Sequence, residues 1–340
     1  KSYEFGENFE LKWNIKPATV AVPEIADRVY RGGNNIKPAI TVPTNQVLNK
    51  KIFTITYPAG HTDGNFKDAG VYEITLTLND NNYVWETGDN DKDGIVTVNF
   101  TINPEENRWA VTPRITQWEW RGYDKSVNLI EGAALFGESH FGISFDAEGR
   151  KPVEGLEDFT IDGKGQVDSN IADRFYSLNS GTYYLIANVD KAQNWTALKS
   201  EAIRFEVAVA RNYWESSPNI IRWKYDGFDA TINLITAVPH FGETVTFSII
   251  SKRGATEADD VIVIDKLIIN ERGEAQGLTA AELAKLEGGK TYYLKAVVER
   301  KSAGFIDGDT SKPIYNYTPM SQYVEFHIQT SNNYWTQTPN

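Results

Sequence analysis

Six consecutive residues, Asp89-Asn90-Asp91-Lys92-Asp93-Gly94, set three carboxylates at alternate positions ahead of a glycine. Oxygen ligands at the first, third and fifth positions of such a loop face one cation because the chain turns at the glycine, as in the first half of an EF-hand calcium loop. The second half does not follow. Phe100 stands where a bidentate glutamate belongs, and the alternating strand around it needs that ring for a core. Asp89, Asp91 and Asp93 are candidate ligands for weakly held calcium, and no other cofactor is expected. The alternative is a solvated acidic hairpin whose Asp and Gly serve turn geometry.

Little else in the sequence is arranged for catalysis. His61, His140, His240 and His327 share no ligand spacing, and no base and orienter for a serine triad can be picked out. With 46 acidic residues, carboxylate pairs at glycosidase separation arise by accident. No Gly-rich phosphate loop, nucleophile elbow or kinase signature is present. Zero cysteines exclude disulfides, thiol chemistry and thiolate-bound zinc. The chain is read as no enzyme. Its net charge of −12 has the wrong sign for tracking nucleic acid or an anionic lipid surface, and no apolar run nears the roughly 18 residues of a membrane span. Nine tryptophans are where a binding reading starts, since aromatic platforms hold sugars and partner proteins.

The elements that would position these residues come from a repeat. Trp-x-x-x-Pro occurs at Trp13 and Pro17, Trp109 and Pro113, Trp214 and Pro218, and Trp335 and Pro339. Alternating strands precede the last three of these: Val98-Asn-Phe100-Thr-Ile102, Ile203-Arg-Phe205-Glu-Val207 and Val324-Glu-Phe326-His-Ile328. The four junctions delimit three modules, at 13–106, 107–211 and 212–332. Residues 1–12 read as the end of a preceding module and 333–340 as the start of a next one, so a window on a longer array is expected. Asn107, Trp109, Pro113, Ile115, Trp118, Asn128, Phe136 and Gly137 each recur 105 positions later. The strand Thr182-Tyr183-Tyr184-Leu185 recurs as Thr291-Tyr292-Tyr293-Leu294. Short strands bounded by Gly, Asn, Asp and Pro predict an all-β chain of three tandem Ig-like sandwiches in an elongated array. A capping box at Thr279-Ala-Ala-Glu282, stopped by Gly288-Gly289, predicts a short helix in module three, with a counterpart at Ser169 to Leu178. The boundary residues Trp13, Pro17, Trp109, Pro113, Trp214, Pro218 and Trp335 are read as interdomain wedges, the proline stiffening each entry.

Module one, with Lys16-Pro-Ala-Thr-Val20, Val29-Tyr30 before Gly32-Gly33, Asp68-Ala-Gly70-Val-Tyr72 and Asn82-Tyr83-x-Trp85, resembles the MBG-type bacterial Ig-like domain. Modules two and three, with Phe136-Gly137 or Phe241-Gly242 and the Tyr-Tyr strand, resemble the tandem Ig-like stalk repeats of large Gram-positive cell-surface proteins. That resemblance implies a secreted or surface-exposed, non-catalytic stalk segment or adhesin whose first partners are its own neighbouring modules. The insertions Lys151–Ser177, Asp259–Gly277 and Asp307–Thr318 leave open an adhesive face for a host protein or glycan. An accessory tail of a secreted protease or glycosidase is the third reading.

Overall fold

The computed structural model describes residues 14–43, 52–88, 93–124, 126, 129–220, 235–242, 244–269, 275–276, 282, 285–306 and 310–330. Apart from one helix and a 3-10 turn, the regular structure of these residues is strand, arranged as tandem sandwiches.

In module one the sheet order is Arg28–Val29, Ile95–Asn103, Gly70–Leu78, Phe53–Thr56. The period-two pattern read around Tyr72 and Phe100 sets the register: Tyr72 pairs with Phe100 and Ile74 with Val98. One face of these strands buries Phe53, Ile74, Leu76, Phe100 and Ile102. Opposite them lie Val20 and Trp85, from the parallel pair Ala18–Val20 and Tyr83–Trp85. Trp85 donates its indole N–H to the Gly94 carbonyl at 2.9 Å, so the ring is buried with its polar atom satisfied.

Module two repeats the plan with the order Trp118–Glu119, Ile203–Ala208, Gly181–Val189, His140–Ser144, and a smaller pair of Trp109–Ile115 with Ile130–Ala134. In both modules the first strand joins the last in parallel, Arg28 beside Ile102 and Trp118 beside Val207. The helix Ser169–Ser177 is the counterpart expected at Ser169 to Leu178. Asp168 caps it by accepting from the Asn170 and Ile171 amides at 2.8 and 3.0 Å, and its buried Phe175 stacks on Tyr123 and meets Trp118 edge-on.

Module three orders its sheet as Ala275–Gln276, Val261–Ile269, Thr246–Lys252, Thr291–Val298, Met320–His327 over a core of Ile235, Phe247, Ile249, Leu294 and Phe326. The hairpin Ser302–Phe305 with Pro313–Tyr315 is its added piece. The helix expected from Thr279 lies outside the described residues, except for Glu282 and the end from Lys285. By contact the chain divides into two compact units. The first holds Lys1–Pro113 with Glu131–Phe141 and Ile186–Glu201; the second holds Arg114–Ile130, Gly142–Leu185 and Ala202–Asn340.

Tyrosine corners confirm the sandwich type. Tyr72 and Tyr183 each donate to the carbonyl four residues upstream, Asp68 and Asn179, at 2.8 Å, and Tyr292 accepts from the Glu287 amide at 2.8 Å. Burial pushes the Tyr183 phenol up to about 12, from an ordinary 10.0. The unfolded phenol ionises first, so its contribution to stability is full below pH 10 and is lost as pH rises towards 12. Tyr183→Phe is expected to cost about 1 kcal/mol and to remove one late-titrating tyrosine from the alkaline absorbance titration. A lost component centred near pH 10 would contradict the burial argument.

Candidate functional site

The unit-one junction is organised by a buried asparagine. The Asn107 amide nitrogen donates to the Phe136 carbonyl at 2.9 Å, and its Oδ1 accepts from the Phe136 and Arg108 amides at 3.2 and 3.0 Å. Its own N–H donates to Thr196 Oγ1 at 3.1 Å. One carboxamide thus serves both backbone groups of Phe136, as a strand partner would, and fixes where that ring points. Two residues earlier Glu105 bridges Trp195 in parallel, with bonds from Glu105 N to Asn194 O and from Thr196 N to Glu105 O.

The same cell is built again in unit two. Asn212 donates to the Phe241 carbonyl at 2.9 Å, accepts from the Phe241 and Tyr213 amides, and gives its N–H to Thr318 Oγ1 at 3.0 Å. Ala210 bridges Tyr317 as Glu105 bridges Trp195.

Each cell reaches into the preceding module at two points. Asn194 Oδ1 accepts from the Ala69 amide at 2.7 Å and its amide donates to Asp68 Oδ1 at 3.0 Å, while Gln193 donates to the Ala69 carbonyl. Asn316, itself buried, accepts from Ser180 N and Oγ at 2.8 and 2.9 Å and donates to Asn179 Oδ1 at 2.9 Å. Asp68-Ala69 and Asn179-Ser180 are the corners closed by Tyr72 and Tyr183, so the loop that receives each asparagine is held by the preceding core.

The second point is aromatic. Phe136 packs against the module-one core, meets Tyr30 edge-on at 5.7 Å and stacks on Trp195 at 5.9 Å. Phe241 meets Trp120 at 5.1 Å and stacks on Tyr317 at 6.0 Å. The glycines after these phenylalanines, at φ +79° and +98°, leave room for the second ring. A Cβ on Gly137 would stand 2.8 Å from Val189 Cγ1 and 3.1 Å from Trp195 Nε1; one on Gly242 would stand 2.7 Å from Val298 Cγ1.

The boundary residues are placed differently. Pro113 and Pro218 are buried and Trp109 is half-buried. Trp214 packs against the module-three core of Ile220, Ile235 and Phe247. Pro17 is exposed, and Trp13 and Trp335 lie outside the described residues. The rings that meet across the junctions are Tyr30 with Phe136, and Trp120 with Phe241 and Tyr317. Of the calcium candidates, Asp89 and Asp91 lie outside the described residues, and Asp93 accepts from the Ile95 amide at 2.9 Å within its turn. Among the described residues no group of three His, Asp or Glu is gathered as metal ligands.

One charged cluster stands apart in module three. Lys295 Nζ lies 3.0 Å from Asp260 and 3.1 Å from Glu257, and Tyr323 donates to Asp260 at 2.8 Å. Burial raises the Asp260 carboxyl, but the Gly254 amide, Lys295 and Tyr323 outweigh it and hold the group below its ordinary value. Burial likewise opposes the Lys295 charge, and Asp260 and Glu257 overcome it, so the ammonium is held protonated. An amide cross-link would need a neutral amine and a neutral acid. The cluster is a structural ion pair.

No family model and no curated protein matches the chain. Among solved structures it is similar to Drosophila N-cadherin EC1-4, at 11% identity over 93% of this chain and 73% of that one, with a TM-score of 0.28. It is also similar to three N-terminal domains of the bacteriophage RB49 Highly Immunogenic Outer Capsid protein (11% identity, 92% and 99%, TM-score 0.27) and to domains 7, 8 and 9 of the S-layer protein SbsC (10%, 95% and 98%, 0.22). At these scores the likeness carries no argument, and the fold rests on the sheets, registers and corners above.

Asn316→Ala removes the partner of the buried Ser180 amide, while the hydroxyl keeps the Tyr315 carbonyl, at an expected cost of about 1–3 kcal/mol to the junction. Amide exchange at Ser180 should accelerate while Ala69 is unchanged, and Asn194→Ala should do the reverse. Equal acceleration at both sites would show that the two cells are not independent.

Proposed function

We propose that this chain is a non-catalytic extracellular stalk segment of a bacterial surface protein or adhesin. In this reading MBG-type and related Ig-like modules, bordered near Asn107 and Asn212, project a distal functional domain. The observation that carries the reading is the junction cell built twice from the same atoms: a buried Asn, a Phe-Gly turn, an Asn-aromatic-Thr strand and the preceding tyrosine corner. A chain whose work is to transmit position must resist bending at every border, and an amide lock backed by stacked rings does so without a bound ion. Borders that had only to connect would need no more than a polar linker.

The test is solution scattering of the full chain beside the Asn194→Ala, Asn316→Ala double variant. The distribution of maximum dimensions should broaden while the module cores stay folded, since the loss of about 1–3 kcal/mol falls on junction hydrogen bonds and not on core side chains. Chelator should leave the wild-type curve unchanged. An unaltered distribution in the double variant would remove the stalk reading.

A second reading is favoured by one feature of unit two. The insertion around Pro152 to Ser177 and the module-three hairpin border a cleft of about 880 Å³ walled by Phe145, Leu156, Tyr184, Phe305, Ile306 and Ile314. Phe145, Phe305 and Ile306 are about half exposed, as at partner surfaces. This supports an adhesive face for an apolar stretch of a host protein in preference to a glycan. Selection from a displayed peptide library should enrich apolar sequences that lose binding to Phe145→Ser and Phe305→Ser; no enrichment, or binding that survives both, would remove it.

A further inference from the structure

The two junctions share the bonds of their four asparagines and are inverted in their rings. In the first, the preceding module offers the smaller ring, Tyr30, and the following module the larger, Trp195, on either side of Phe136. In the second, the preceding module offers the larger, Trp120, and the following module the smaller, Tyr317, against Phe241. Position by position these are equivalents. Tyr30 N and Trp120 N donate to Asn103 O and Ala208 O just past the parallel first strand, and Trp195 and Tyr317 occupy the same bridge to Glu105 and Ala210. Each junction therefore holds one Trp, one Tyr and one Phe, with the Trp on opposite sides.

We propose that the ring pair is a matched couple that specifies which module face docks on which. The surface is the end of each module bearing Tyr30 or Trp120; its partner is the Phe-Gly turn and aromatic strand of one particular following module. Crossing the pairs would set Trp120 against Trp195, which overfills a close-packed contact, or Tyr30 against Tyr317, which leaves a void. The bridging amide cannot make this distinction by itself, because Asp68 and Asn179 both present an oxygen to it; Gln193 at Ala69 and the Ser180 hydroxyl differ between the two.

A separate observation agrees. Among the described residues Trp195 Nε1 is buried without a hydrogen-bond partner, so the indole is held there for its size and not for its N–H. Modules two and three also share twelve identical aligned positions from Asn107 to Gly137, and repeats this alike are prone to docking on the wrong neighbour. A size code at the contact excludes that error without altering the shared lock. The inference holds whether or not the chain serves as a stalk, since it concerns pairing and not stiffness.

The experiment is a swap cycle in the full chain, read by amide exchange at Ser180, whose N–H donates to Asn316, with Ala69 as the control at the other junction. Trp120→Tyr and Tyr317→Trp should each accelerate Ser180 exchange about tenfold, the effect of a void or overpacked contact, while Ala69 stays unchanged. The double variant should return Ser180 to within about threefold of wild type, as non-additivity of touching groups requires. The mirror cycle, Tyr30→Trp with Trp195→Tyr, should reproduce this at Ala69. Should either double variant exchange as fast as the product of its singles, or should all four singles leave their junction amide protected, the size code is wrong. If a single variant unfolds its module, seen as exchange at Leu185 or Ile74, the matching double variant decides: recovery supports the couple and continued unfolding overturns it.

Discussion

A carboxamide carries its donor and its acceptor on separate atoms, so it can answer a backbone N–H and a second polar group at the same time. Both junctions depend on that property. Asn107 and Asn212 use it within a module, to hold the backbone of Phe136 and Phe241 in place of a strand. Asn194 and Asn316 use it between modules, accepting from a backbone amide and donating to a side-chain oxygen, on corners that are themselves tied down by a tyrosine. The order of dependence runs from the corner to the receiving loop, from there to the bridging amide, and from the amide to the strand that carries the second aromatic ring. If the amide were lost, the rings would still be apolar but would have no fixed registration.

Apart from Asp68, which accepts from Asn194, the groups that hydrogen-bond across these contacts are neutral. The chain carries −12 overall, and a lock made of ion pairs would sit in that field and weaken as salt rises. A buried ion pair with further hydrogen bonds, Lys295 with Asp260, lies instead in module three. There the Asp260 side chain is 1% exposed, and the Gly254 amide and the Tyr323 hydroxyl complete its bonding. Such a pair costs much of its attraction in desolvation and serves mainly to fix a local geometry. Because Asp260 is held below the ordinary carboxylate value of 3.8, its contribution is present above that pH and is lost below it. The second junction's bridging amide, Asn316, has only Ser180 and Asn179 as partners, neither of which carries a charge.

The fold could be read in the sequence because period-two alternation is a direct imprint of a half-buried strand. Phe100 and Phe205 sit at the center of the buried faces where their patterns put them, and the helix at Ser169 stands where a counterpart of the module-three helix was expected, with Asp168 as its cap. Half of the junction was also visible, since Asn107, Phe136 and Gly137 recur at a constant interval. The other half was not. Asn194-Trp195-Thr196 and Asn316-Tyr317-Thr318 lie 122 positions apart, out of step with the 105 of the first half, because the module-three hairpin is inserted between them. Their central residue also changes from Trp to Tyr, which hides the match from identity. Trp-x-x-x-Pro drew attention to the borders because it repeats, yet repetition does not separate a core-edge residue from a contact. Trp214 spends its surface on its own module.

The rings do what hydrogen bonds alone could not. An exposed amide exchanges its partners with water at little cost, so a purely polar border would be specific in register but soft. An aliphatic border would be cohesive but free to slide, since apolar contact has no preferred direction. Phe136 and Phe241 combine the two, being aromatic side chains with two torsions each whose backbones are gripped by a buried asparagine. The ring excludes water from the amides beside it and the amides fix the angle at which the ring enters. This is why Gly137 and Gly242 must follow: a side chain there would drive the second ring off the first and expose the bonds that the stack protects.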